Sequence, residues 1–231
     1  MNQHPLIRAT PWDAEALGFP TWEILNYSEE ALQDAAHTVG HYTIKVSPLS
    51  DKRLLHAFGF YYCDTLIAPH CNANQLRQSQ LEGATISPVI DAESAFSICH
   101  GTFEHGRFHR DFNLPKTSAD LRYDNWLKQL LDTQQVYGLY WQGMLAGFIG
   151  CSGNSLVLHA LAKEYRGKGL SKYWWSAVCS ELLASGHDEV ISSISAANLA
   201  ALNLYSSLGF KFSNAQDIYH MTNDGVLSNE I

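Results

Sequence analysis

The 231 residues carry 15 Lys and Arg against 23 Asp and Glu, a net charge of −8. With no basic block anywhere, this argues against nucleic-acid or anionic-membrane partners, whose affinity comes largely from neutralised phosphates. Apolar residues make up 46% of the chain, enough for one large core or two small ones.

The first part alternates strand-like and helix-like segments: residues 21–26 extended, 28–38 helical, 42–46 extended, 49–58 helical and 60–67 extended. Residues 70–82 are polar and aperiodic and read as a linker. They separate a small α/β domain (1–80) from a larger one (84–231). The larger part opens with a helix over 91–103 and crosses a loop holding Arg107, Phe108, His109, Arg110 and Pro115. A helix follows over 118–132, where Leu121, Leu127, Leu130 and Leu131 fall near one face. Residues 136–141, 144–151 and 155–161 are three strands joined by hairpin-compatible turns at Gln142-Gly143 and Ser152-Gly153-Asn154. Helical spacing then runs from Leu170 to Leu182 and stops at Gly186. Residues 189–195 are β-rich, and a short helix opens near Asn198 and ends at Gly209. The run from Arg53 to Gly59-Phe60 echoes the run from Leu202 to Gly209-Phe210, with Leu55 standing where Tyr205 stands.

Five cysteines (Cys63, Cys71, Cys99, Cys151, Cys179) are odd in number and hold no Cys-x-x-Cys pair. Neither a disulfide framework nor a zinc site is expected from them. His100, His105 and His109 fit no compact ligand spacing, so no metal is expected there either. Residues 1–5 lack a basic region leading into an apolar core, and no apolar run approaches membrane-spanning length. A cytoplasmic protein is the expectation.

The most informative stretch is Lys163-Glu-Tyr-Arg166-Gly167-Lys168-Gly169-Leu170-Ser171, between an apolar strand and an amphipathic helix. Gly167 and Gly169 carry no Cβ, so successive backbone N–H groups and the helix N-terminus are able to face a pyrophosphate. The spacing is neither the dinucleotide fingerprint nor the P-loop. Together with Asn198, Tyr205, Gly209 and Phe210 downstream, it resembles the GNAT superfamily of acetyl-CoA-dependent N-acetyltransferases over residues 94–221. That family's motifs read [Gln/Arg]-x-x-Gly-x-[Gly/Ala] and Asn…Tyr-x-x-x-Gly-Phe. Ser171 departs from the usual Gly or Ala but is nearly as small.

The resemblance implies an α/β fold with a mixed, mostly antiparallel central sheet flanked by helices, here with a small degenerate α/β region ahead of it. It implies acetyl-CoA as cosubstrate, held by Leu161, Ala162, Lys163, Arg166, Gly167, Lys168, Gly169, Leu170, Ser171, Asn198 and Tyr205. A backbone N–H near Leu161 would meet the oxyanion, and Tyr205 would be the general acid toward the departing thiolate. His159 shares the face of Leu161 and is the first candidate for general base; Glu104, His105, His109 and a water relay are the others.

Within the superfamily the chain resembles enzymes that acetylate the amino group of a dTDP-linked amino-deoxysugar. That resemblance rests on Pro11-Trp12-Asp13, Leu17-Gly18-Phe19, Arg107-Phe108, Tyr123 and Trp126. It implies a sugar-nucleotide acceptor, with Arg107 on the diphosphate and Phe108, Tyr123 or Trp126 stacking on thymine or a sugar face. A peptide N-terminus, a polyamine or another small amine is the alternative acceptor, and a non-catalytic acetyl-CoA-binding module is a third reading. A homodimer is compatible with all three.

Overall fold

The computed structural model describes residues 6–225; residues 1–5, expected to lack a leader pattern, lie outside them. In chain order the elements are β1 (Ile7–Ala9), α1 (Pro11–Leu17), β2 (Thr21–Ile24), α2 (Glu29–His37), β3 (Gly40–Val46), α3 (Arg53–Ala57), β4 (Tyr61–Asn72), β5 (Ala84–Ser87), α4 (Ala92–Cys99) and α5 (Lys116–Asp132). Then come β6 (Val136–Trp141), β7 (Met144–Ser152), β8 (Ser155–Leu161), a 3-10 turn (Lys163–Tyr165), α6 (Ser171–Ala184), β9 (Glu189–Ser192), β10 (Ile194–Ser195), α7 (Leu199–Ser207) and β11 (Lys211–Asn223). This is a mixed α/β architecture with mostly antiparallel strand pairs, as expected. No helix among the described residues is long and apolar enough to cross a membrane.

Two compact units emerge. One groups Met1–Leu66, His105–Arg122 and Ala215–Ile231; the other groups Ile67–Glu104 and Tyr123–Asn214. This differs from a division near residue 80, and the reason is pairing that a linear reading does not see. Residues 217–223 of β11 run antiparallel to β3, so β11 completes the first unit. Likewise Phe108, Leu114 and Ala119 pack with Leu17 in a core of that unit. The expected linker also begins too early: His70, Cys71 and Asn72 belong to β4 and pair with β9. Their polarity hides a buried Cys71 between two more exposed neighbours.

In the first unit β1 pairs antiparallel with β2, β2 parallel with β3, and β3 antiparallel with β11. Helix α2 is capped by the Ser28 hydroxyl, which accepts from Ala31 N–H. It buries Ala31, Leu32 and Ala35 on one face, against Ile24, Tyr42 and Ile44. The helix expected over 49–58 shrinks to the five residues of α3. Residues 47–50 instead form a turn, and Lys52 Nζ donates to the carbonyls of Ser47, Pro48 and Ser50.

In the second unit β4 pairs antiparallel with β9, β9 parallel with β8, and β8, β7, β6 and β5 follow in an antiparallel meander. One core gathers α6 and α7 through Trp174, Trp175, Val178, Cys179, Leu182, Ala201 and Tyr205. Another gathers α4 and α5 through Ala95, Cys99, Leu127 and Leu130, with Phe148, Leu158 and Ala160. All five cysteines are buried free thiols. Trp174 Nε1 donates to Tyr140 O at 2.9 Å, which satisfies the one polar atom that this ring brings into the core.

The sequence echo has a matching geometry. After α3, Phe60 N–H donates to Leu55 O and Gly59 N–H to His56 O; after α7, Phe210 N–H donates to Tyr205 O and Gly209 N–H to Ser206 O. Both glycines are left-handed, φ 77° and 91°. They differ in surroundings: a Cβ at Gly59 meets nothing within 4 Å, whereas one at Gly209 lies 2.1 Å from Gln75 O. Gly59→Ala is therefore expected to cost about 1 kcal/mol, from backbone strain alone. Gly209→Ala should cost at least about 2 kcal/mol more, because backbone must also move. Urea denaturation of the two variants measures the difference, and equal costs would contradict it.

Candidate active site

Strands β8 and β9 pair in parallel only at Ser155↔Ile191 and Leu156↔Ser192. Beyond Leu156, β8 keeps its antiparallel partner β7 through Leu161. Ala162 N–H donates to Ala146 O at 2.9 Å, so by strand alternation the backbone groups of Leu161 and His159 point away from β7, toward the side that β9 has left. Arg166 Nε takes one of them, the Leu161 carbonyl, at 2.8 Å. Arg166 Nη2 also donates to Thr102 Oγ1 at 3.1 Å. The guanidinium thus ties the end of β8 to the segment after α4. Nothing in the sequence singled out Thr102 for this.

After the 3-10 turn, Gly167 and Gly169 are left-handed, φ 70° and 71°. A Cβ at either would meet nothing within 4 Å, so the backbone here is open to an approaching group. Among the described residues no protein acceptor takes the N–H groups of Gly167, Lys168, Gly169 or Leu170. Ser171 opens α6 with no side-chain cap from Leu170; Tyr173 N–H donates to the Leu170 carbonyl at 3.1 Å. Successive unpaired donors at a helix N-terminus suit a phosphate or pyrophosphate, and the residues present fit that group. Lys163 begins the 3-10 turn, and Lys168 Nζ lies 5.9 Å from the Tyr165 ring centroid.

Asn198 caps α7, its Oδ1 accepting from Ala201 N–H at 3.1 Å. One turn further, Tyr205 is fully buried, with its hydroxyl 3.3 Å from His159 Nε2. The His159 ring also meets Trp175 edge-on, centroids 5.1 Å apart. Burial raises the Tyr205 phenol well above its ordinary value, with the Ser192 hydroxyl and Trp175 indole as the side-chain groups facing it. Burial likewise pushes the His159 imidazole down to about 4, and that ring further bonds its own backbone. At neutral pH the pair is a protonated phenol beside an uncharged imidazole. Trp175 and Ser192 had no sequence signal beyond ordinary core character.

The expected acceptor-binding residues divide between the units. Tyr123 and Trp126, on α5, belong to the second unit; Tyr123 stacks on Phe103 at 4.3 Å and 15°, with Trp126 6.3 Å further along. Phe108 belongs to the first unit and corrects an expectation: it is 2% exposed, with the Arg107 and Arg122 guanidinium groups 4.8 and 4.5 Å from its ring centroid. A ring so enclosed has no face to offer thymine or a sugar. Arg107 thus sits over a core aromatic in the first unit, and its placement adds nothing to the expected diphosphate contact. His109, a further base candidate, has a buried side chain that bonds Asp120 at 2.9 Å.

The shifted histidine makes a stability prediction. Its folded-state value lies below the ordinary 6.5, so as pH falls the unfolded chain takes up the proton first. The contribution of His159 is complete above about 6.5 and declines toward about 4. The urea midpoint of the native protein should fall more steeply across that window than that of His159→Gln, and parallel profiles would contradict the assignment.

Residues 116–220 match the family model described as Acetyltransferase (GNAT) domain. Among solved structures, a GCN5-related N-acetyltransferase from Sphaerobacter thermophilus is similar with TM-score 0.64 and 12% identity, over 94% of this chain and 76% of that one. A tandem GNAT protein from the clavulanic acid biosynthesis pathway is similar with TM-score 0.54 and 14% identity, over 87% and 75% of the two chains. The glucosamine N-acetyltransferase region of a fungal multi-domain β-N-acetylglucosaminidase is similar with TM-score 0.55 and 12% identity, over 87% of this chain and 30% of that one. At such identities the likeness is one of fold. No curated protein matches the chain.

Proposed function

We propose that this chain is an N-acetyltransferase that moves an acetyl group from acetyl-CoA to the amine of a nucleotide-linked amino-deoxysugar, by direct attack in a ternary complex; the match of residues 116–220 to the GNAT acetyltransferase domain model supports the transfer. The observation that carries the transfer is the parting of β8 from β9 beside four unpaired N–H groups, with the Tyr205 pair in the same unit. The glycine turn, with Gly167, Lys168, Gly169, Leu170 and Ser171, holds the pyrophosphate. Ala162, Lys163 and Asn198 are proposed along the arm; Asn198 uses its oxygen as a cap and keeps its amide N–H groups for the ligand. Arg166 acts indirectly, by fixing the end of β8.

The cosubstrate supplies an activated acetyl thioester. Leu161 N–H faces the parted side of β8 and stabilises negative charge on the acyl oxygen as the amine attacks. Tyr205 keeps its proton at neutral pH and gives it to the departing sulfur. His159 is proposed as the partner that orients the phenol rather than as the base: its Nε2 faces the hydroxyl, and a group pushed down to about 4 holds a proton poorly near neutrality. The amine's proton leaves by water. Most of the rate enhancement is positioning, for which an effective molarity removes roughly 7–11 kcal/mol of barrier.

The acceptor class rests on two supports: the Phe103–Tyr123 stack with Trp126, an aromatic surface in the unit of the glycine turn, and the amino-sugar acceptor named for one protein of similar fold. Aromatic faces suit the apolar side of a sugar ring or a base. The test is thiol release from acetyl-CoA with dTDP-linked aminosugars, polyamines and N-terminal peptides as acceptors. Turnover confined to the sugar nucleotides is expected; turnover only with another amine class would discard the acceptor and keep the transfer. Tyr205→Phe, close in shape, is expected to lower kcat by about 100-fold or more while acetyl-CoA affinity stays within about threefold. Unchanged turnover would remove Tyr205 from the acid role.

A further inference from the structure

Three buried side chains of the first unit take no part in the acetyl-transfer chemistry. Sheet geometry brings two of them together: His220 on β11 stands opposite Thr43 on β3, and His41 is two residues from Thr43. Both histidines therefore rise from one sheet face as diagonal neighbours, their rings edge-on with centroids 4.5 Å apart. The third is Asp111, from residues 105–122. Nε2 of His41 and Nδ1 of His220 lie 3.0 and 2.7 Å from one and the same atom, Asp111 Oδ2. All three side chains are 0–1% exposed.

The Tyr61 hydroxyl, 2.9 Å from Oδ1 and 3.1 Å from Oδ2, has one proton to give and lies closer to Oδ1, which leaves Oδ2 to the two imidazoles. Oδ1 is fixed by Tyr61 and by Asn113 N–H at 2.9 Å. The carboxylate is thus anchored through one oxygen while two imidazole nitrogens converge on the other, the arrangement of an oriented metal ligand with its outer shell in place.

We propose that His41, Asp111 and His220 are the protein ligands of a structural zinc site in the first unit. The three ligating atoms lie within 4.8 Å of one another, two of them 2.7 and 3.0 Å from Asp111 Oδ2, so bonds of about 2.0–2.2 Å to a common ion require the imidazoles to shift from the carboxylate onto the metal. Two imidazoles and one carboxylate favour zinc over magnesium or calcium, which prefer all-oxygen shells. Binding turns to the metal the two imidazole nitrogens that face Asp111, and each neutral ring then carries its proton on its other nitrogen, Nδ1 of His41 and Nε2 of His220. Burial makes the role structural: the ion joins β3, β11 and residues 105–122, which are far apart in the chain. The cysteine and histidine spacings gave no hint of it, because its ligands are single residues on three separate segments.

The test is zinc content by plasma mass spectrometry, on protein produced with added zinc and then exhaustively desalted. About one zinc per chain is expected in the native protein. His41→Gln, which keeps an amide donor for Asp111, should fall below about 0.1 per chain while its far-UV dichroism is retained. Stripping zinc with dipicolinate should lower Tm, and zinc but not magnesium should restore it. If His41→Gln fails to fold, cobalt(II) substitution of the native protein decides: tetrahedral ligand-field absorption at one equivalent supports the site. A native protein that is folded, holds less than about 0.1 zinc per chain and keeps its Tm with zinc or chelator would overturn the proposal.

Discussion

The second unit depends on an interruption of backbone pairing. A strand inside a sheet satisfies its N–H and C=O groups on both edges, and burying such a group unpaired costs on the order of 1–3 kcal/mol. β8 meets that requirement on the β7 edge along its whole length, and on the β9 edge only through Leu156. The neighbouring side chains are arranged around the unpaired edge: Arg166 takes the Leu161 carbonyl, His159 folds its ring onto its own backbone, and the remaining donors face outward from β8.

The glycine turn continues the same logic. The chain leaves β8 through a 3-10 turn and two left-handed glycines, and among the described residues the N–H groups of Gly167, Lys168, Gly169 and Leu170 meet no protein acceptor before α6 begins. Helix α6 is rigid there because its inner face, Trp174, Trp175, Val178, Cys179 and Leu182, is locked in the core. A run of unpaired donors held by a packed helix is pre-organised, and an anion that meets it costs little reorganisation. Trp175 also serves the neighbouring pair, since its ring packs on His159 and its indole faces the Tyr205 hydroxyl. Core packing and the Tyr205–His159 pair thus share residues.

The two helix–glycine–phenylalanine corners show how alike backbones acquire different uses. Leu55 and Tyr205 accept the same backbone bond from the following Phe and are both fully buried. Only Tyr205 carries a hydroxyl, and only it faces a histidine. The polar centre of the first unit lies elsewhere, at Asp111 and its two imidazoles.

Without any structure, the meander from 136 to 161, the glycine turn, helix α6 and the Asn198-to-Phe210 corner were all legible, because each is written locally in hairpin turns, helical periodicity and glycines at positive φ. The family resemblance that those motifs carry implied acetyl-CoA as the cosubstrate. Tertiary structure alone decided the features that depend on pairing between distant segments: that β11 completes the first unit by lying against β3, and that residues 70–72 extend a strand. It likewise decided that Phe108 is enclosed by two arginines rather than offered to a ligand, and that His159 faces Tyr205 with its proton affinity lowered by burial. Local sequence specifies which conformations a segment prefers. Which side chains become neighbours, and how far burial moves their protons, is fixed only when remote segments meet and exclude water.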